Sequence, residues 1–103
     1  MLKWSMVRYK VKADRAAENE SYITAVFEQL KREAPSGISY ATFKLADSVS
    51  FVHVAAYEDE LGSNPLMQLA AFKTFTADIQ DRCDEPPVAV GMQEIGFYSA
   101  LGK

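Results

Sequence analysis

The chain carries a single histidine, His53, in an alternating run that places Phe51, Ala55 and Tyr57 on the same side. An imidazole of ordinary pKa, about 6.5, can take a proton from a phenol or an enol at neutral pH. Two readings stand for it: such a base, or a buried ring that only satisfies its own hydrogen bonds. Arg8 offers a planar cation suited to an oxyanion, with a plain ion pair, for example to Glu94, as the competing use. Tyr40, Phe51 and Tyr57 are flat groups able to sandwich a planar aromatic molecule, and Thr42 adds a hydroxyl on the same side. Aromatic side chains packed in a core would look identical in sequence.

Other reactive types carry less. Cys83 has no histidine near it in sequence and has Asp84 and Glu85 beside it, which disfavour a thiolate, so it reads as a small buried hydrophobe. Asp14, Glu18, Glu20, Glu58, Asp59 and Glu60 fall on the first helix or in loops and serve solubility. No Cys/His/Asp spacing fits a metal site. The turn after the first strand, Lys12 to Ala17, lacks a glycine and arginine phosphate cradle, and the third strand lacks the Gly-aromatic pattern of an RNA-recognition motif.

The elements that would position these groups follow from periodicity. Val7, Tyr9 and Val11 alternate with Met6, Arg8 and Lys10, which predicts a strand over Trp4 to Lys12. Asp14 is placed to cap a helix whose stripe is Ile23, Val26, Phe27 and Leu30, and Pro35-Ser36-Gly37 ends it. Ile38 to Ala46 and Val49 to Tyr57 alternate again and, joined by Asp47-Ser48, predict an antiparallel hairpin. Asn64-Pro65 opens a second helix with the stripe Leu66, Leu69, Phe72, Phe75, Ile79 and Cys83, broken near Ala70-Ala71. Pro86-Pro87 stops it, and Val88 to Ser99 predicts a fourth strand before a frayed tail at residues 101–103.

The order is βαββαβ, an α+β ferredoxin-like domain with a four-stranded antiparallel sheet and two helices on one face. At 103 residues, with 49% hydrophobic and 24% charged residues, the chain holds one core, and residues 1–103 read as one domain. A net charge of −3 speaks against a nucleic-acid partner, and the cluster Lys3, Arg8, Lys10 and Lys12 reads as solvated strand positions. One cysteine permits no internal disulfide, and no stretch approaches the ~20 apolar residues of a membrane span, so the expectation is a soluble cytoplasmic protein with no membrane association.

Two helices leave the other sheet face bare. With Val52, Val54 and Ala56 assigned under the helices, and Ala41, Phe43 and Leu45 likewise, the bare side holds Met6, Tyr40, Phe51 and Tyr57 together with Arg8, Thr42 and His53. Such a patch exceeds what soluble monomers expose, which predicts a homodimer and a part-polar cavity between sheet and partner or sheet and helices.

The hairpin segments Tyr40-Ala41-Thr42-Phe43-Lys44-Leu45 and Phe51-Val52-His53-Val54, the helix start Asn64-Pro65-Leu66 and the segment Ala71-Phe72-Lys73-Thr74-Phe75 resemble the dimeric α/β-barrel superfamily, and within it small proteins of the antibiotic biosynthesis monooxygenase type. That resemblance implies a cofactor-independent monooxygenase acting on a phenolic, quinol or polyketide-like compound, without metal, flavin or haem. Such a reaction needs an electron-rich anion in a pocket kept from bulk water, with His53 as base and Arg8 as anion stabiliser. The haem-degrading relatives resemble the chain less, because their axial histidine lies on the second helix and Leu66 to Cys83 contains none. The alternative on the same scaffold is a non-catalytic small-molecule-binding or interaction dimer.

Overall fold

Residues that alternate in sequence alternate between two faces of one sheet in the structure. The structure, a computed structural model, describes residues 1–102; Lys103, the end of the expected tail, lies outside the described residues. Among the described residues the strands are β1 (Leu2–Val11), β2 (Ile38–Lys44), β3 (Ser50–Glu58) and β4 (Cys83–Met92). They form one antiparallel sheet in the order β2-β3-β1-β4. The helices are α1 (Ala16–Glu33), α2 (Ala70–Ala77) and α3 (Ile79–Arg82). The βαββαβ order is as the periodicity predicts.

Several boundaries differ for identifiable reasons. Asp14 does not cap α1; it falls within a 3₁₀ turn over Ala13–Arg15, and no side chain caps either helix start. Arg15 instead forks onto Glu18, through Nε at 2.6 Å and Nη2 at 2.9 Å. Asn64 does accept from the Leu66 amide, but the helix it opens is a 3₁₀ turn, Pro65–Gln68, ended by extended backbone at Leu69. α2 then restarts, and its part-buried Ala71 amide, in the first turn, is satisfied from another element, by Gln29 Oε1 of α1 at 2.8 Å.

β4 begins at Cys83, five residues before the expected Val88, and so contains Pro86 and Pro87. Proline is tolerated there because β4 is an edge strand, and its register against β1 is irregular around Lys10. It stops at Met92, so the expected stretch to Ser99 continues without a ladder partner.

The two sheet faces are assigned the other way round from the sequence expectation. Val7 faces His53, Tyr9 faces Phe51, Thr42 faces His53 and Tyr40 faces Ala55, so all of these point to one side. That side is the one under the helices: Tyr9, Val11, Phe51 and Ala55 are buried with Val26 of α1, Leu66, Leu69 and Phe75. Phe51, His53, Tyr40 and Thr42 are therefore not on the bare face, and Tyr57 follows them by alternation. The outer face carries Trp4, Met6, Arg8, Ala41, Phe43, Val52, Val54, Val90 and Met92. It is still largely apolar, but of the expected patch only Met6 and Arg8 belong to it.

Candidate functional site

A cavity of about 180 Å³ lies between the inner sheet face and the α2–α3 segment, walled by Tyr9, Tyr40, His53, Phe72, Phe75 and Ile79. The apolar wall follows from the helical stripe, since Phe72, Phe75 and Ile79 recur at intervals of three and four. The rings pack around the imidazole. His53 lies 5.3 Å from both Tyr9 and Phe75 by centroid, and Phe27 stacks on Tyr40 at 5.1 Å.

Polar groups enter this apolar chamber as one connected chain. His53, 5% exposed, meets the Tyr9 hydroxyl at Nε2 (2.8 Å) and the hydroxyls of Tyr40 (2.6 Å) and Thr42 (3.0 Å) at Nδ1. Asn19 of α1, fully buried, donates from Nδ2 to the Tyr9 oxygen at 2.9 Å. Arg82 at the end of α3, 1% exposed, donates from Nε to Asn19 Oδ1 at 3.2 Å and from Nη2 to the Phe75 carbonyl at 2.6 Å. Its guanidinium lies 4.6 Å from the Tyr22 ring centroid and 5.5 Å from that of Phe75. Among the described residues no carboxylate forms a salt bridge with it.

Burial sets the electrostatics. Desolvation pushes the His53 imidazole down to about 4, so the ring is neutral at pH 7. Burial raises the Tyr9 phenol, against the hydrogen bond from Asn19 that lowers it. It likewise pushes Tyr40 up to about 12, with the neighbouring Thr42 hydroxyl acting downward.

The candidate residues divide sharply. His53 and Tyr40 line the cavity, and Thr42 touches it through His53. Phe51 is buried beneath, stacked on Tyr9 at 5.6 Å between centroids. Tyr57 borders a separate surface hollow with Lys3, Trp4 and Met67. Arg8 is exposed on the outer face, opposite Val52, and cannot reach a ligand held against His53 from within the same chain. Trp4 also lies on the outer face. Cys83 is half-buried at the start of β4, its thiol raised chiefly by burial.

Sequence reasoning missed Tyr9 as a polar partner, and missed Asn19 and Arg82 altogether. A signal for both was present. Asn19 lies four residues before Ile23 and seven before Val26, and Arg82 lies three after Ile79 and seven after Phe75, so each occupies an apolar stripe. A polar side chain in such a position needs a buried partner. Among the described residues no cluster of three or more His, Cys, Asp or Glu could hold a metal ion, and no helix is long and apolar enough to cross a membrane.

No family model matches the sequence, and no curated protein matches it significantly. Solved structures do match. A candidate antibiotic biosynthesis monooxygenase from Nitrosomonas europaea is 22% identical, with 91% of this chain and 90% of that one covered and a TM-score of 0.74. A protein of Mycobacterium tuberculosis, Rv0793, is 14% identical over 96% of this chain and all of its own (100%), with a TM-score of 0.77. An antibiotic biosynthesis monooxygenase is 15% identical over 93% of this chain and 100% of that one, with a TM-score of 0.75. The chain thus has the ferredoxin-like α+β fold of antibiotic biosynthesis monooxygenase structures.

Proposed function

We propose that the cavity binds a phenolic or quinol-like small molecule and that the protein acts on it as a cofactor-independent monooxygenase. The observation that carries this reading is a polar cluster, His53 with Tyr40 and the adjoining Thr42, set into a chamber whose wall is mainly aromatic and aliphatic, with Ser5, Asn64 and Thr76 also on it. Such a chamber orients one oxygen of a flat ligand and keeps water from the rest. The volume selects within the class. A cavity of about 150 Å³ accommodates benzene, so about 180 Å³ fits a one-ring phenol or quinol. A tricyclic polyketide would need the walls to part.

The chemistry balances without a cofactor. A phenol and O₂ give a quinone and water: one oxygen atom enters the ring, the other leaves as water, and the phenol supplies the electrons. The reactive species is the ionised phenol. His53 does not suit the role of base that its residue type implies, because moving a proton from a phenol of pKa about 10 to an imidazole held near 4 is uphill by about 8 kcal/mol. In this reading it acts as a hydrogen-bonding link to the ligand's oxygen. Arg8, on the opposite face, takes no part.

The second reading, a binding dimer without turnover, draws on the same saturation of both imidazole nitrogens by protein hydroxyls. Oxygen uptake by purified protein with a panel of hydroquinones and one-ring phenols separates the two. Uptake of one O₂ per quinone formed, with one atom of labelled O₂ incorporated into the product and the activity lost in His53→Ala, supports the oxygenase. Saturable binding without uptake supports the binding dimer, and neither binding nor uptake overturns both.

We also propose that a second copy covers the outer face. Val90 and Met92 stand exposed there, and Ile95, Phe97, Tyr98 and Leu101 in the following segment are each more than 80% exposed. The segment and the face together border a hollow of about 650 Å³ with Trp4 and Val54 on its wall. Sedimentation should give a dimer for the native chain and a monomer for Val54→Lys; a native monomer refutes the proposal.

A further inference from the structure

Among the described residues Arg82 is a buried cation in no salt bridge, though the Glu18 carboxyl feels its charge, and its field reaches the cavity through four side chains. The direction of that chain can be deduced. Arginine only donates, so Asn19 must turn Oδ1 toward Arg82 and Nδ2 toward Tyr9. The Tyr9 oxygen then accepts, and among the described residues the acceptor left for its own proton is His53 Nε2. A neutral imidazole that accepts at Nε2 carries its proton on Nδ1, where it donates to Tyr40 and Thr42. Tyr40 receives at its oxygen, and its own proton is left for whatever occupies the cavity it lines.

We propose that the cavity is a site for the oxyanion of an aromatic ligand, addressed by the Tyr40 hydroxyl at the end of a one-way donor chain running from Arg82 through Asn19, Tyr9 and His53. This rests on the function proposed above and specifies it. Each donor in such a chain polarises the next, so the cation's charge is delivered as a strengthened O–H rather than by direct contact. The ligand's oxyanion would join Glu18 as negative charge within reach of the buried cation. Arg82, Asn19 and Tyr9 are then positioning residues, and the anion is favoured over the neutral phenol without any base in contact with it.

One substitution reverses the chain while keeping its shape. In Asn19→Asp the carboxylate accepts from both Arg82 and Tyr9, so Tyr9 must accept from His53, the ring proton moves to Nε2, and Tyr40 turns its proton inward to Nδ1. The experiment is nitrogen-15 NMR of the single histidine in native protein and in Asn19→Asp, without ligand, followed by binding of 4-nitrophenol, whose ionised form is read by its visible absorbance.

The expected result is Nδ1–H in the native chain, Nε2–H in Asn19→Asp, and at least tenfold preference for the ionised probe in the native chain only. Tyr40→Phe should bring that preference close to one. Nε2–H in the native chain, or an unchanged tautomer in Asn19→Asp, overturns the chain; Tyr9→Phe, which should give a mixture of tautomers, provides the same test should Asn19→Asp fail to fold. A bound probe with no preference for the ionised form overturns the ligand class. An intact preference without oxygen uptake on any phenol sinks only the oxygenase reading, since the tautomer and probe measurements need no turnover.

Discussion

Acidification from pH 7.5 to pH 5 should destabilise the protein through His53 alone. Burial holds the folded-state pKa near 4, against about 6.5 in the unfolded chain. Between those values the unfolded state binds a proton that the folded state refuses, and each pH unit in that window shifts stability by about 1.4 kcal/mol. The stability is fully present above pH 6.5, falls as the pH drops toward 4, and is constant below. The roughly 1.5 units between pH 6.5 and pH 5 therefore amount to about 2 kcal/mol, with the rounding of the titration at its two ends nearly cancelling. That is a large share of the 5–15 kcal/mol typical of a domain.

Stopping at pH 5 keeps the measurement clear of the carboxylates. Asp47, held down to about 2 by the Ser50 hydroxyl and the Val49 and Ser50 amides, loses its contribution only as the pH falls below its ordinary value near 3.8. Glu18, lowered chiefly by its bond to Arg15, likewise acts below pH 4.5. The assay is urea unfolding at several pH values and one fixed protein concentration, because a dimer's apparent stability depends on concentration. His53→Gln should flatten the slope. An imidazole resonance with its midpoint near 6.5, or a native slope equal to that of His53→Gln, would refute the burial argument.

The remaining predictions test packing and placement. Phe75→Ala removes a buried ring that touches Tyr9, His53 and Phe72, and should cost about 3–5 kcal/mol by urea unfolding. Arg8→Ala should leave affinity for a cavity ligand within about twofold of native, since its side chain lies on the other face; a tenfold loss by calorimetry would contradict the register. Gly37 and Gly62 both hold left-handed backbone, with φ of +79° and +78°, so either change to Ala should cost about 1–2 kcal/mol. At Gly37 the new Cβ would also meet Leu61 Cδ1 at 2.9 Å, the end of an exposed side chain that can turn away, whereas nothing lies within 4 Å at Gly62, so the two costs should be similar.

The order of elements was legible because period-2 and period-3.6 patterns are local, and β1, α1, the hairpin and the α2 stripe each state their own type. The choice of sheet face was not, because it depends on which of two apolar sides meets the helices. In β3 the sets Phe51/His53/Ala55 and Val52/Val54/Ala56 are both fit for burial, and both are covered to some degree in the single chain. Residue type pulled the wrong way. A lone histidine among aromatics looks like a cavity group facing a partner, yet it sits under the helices with its nitrogens bonded to three hydroxyls.

What settles the face is register, which is not local. Once Val7 stands opposite His53, the pattern of β1 decides for β3: Val7, Tyr9 and Val11 lead inward while Arg8 and Lys10 lead out, so His53 goes inward with them. Placing His53 on one face with Arg8 implied a register of β3 against β1 slipped by one residue, which exchanges the two faces of β3. The same logic identifies the missed residues. An inward histidine needs inward polar partners, and the only stripe positions on α1 and the α2–α3 segment that break apolar periodicity are Asn19 and Arg82. The site is therefore specified by exceptions to the hydrophobic pattern, and these become readable as a set only when the strand register has tied their elements together.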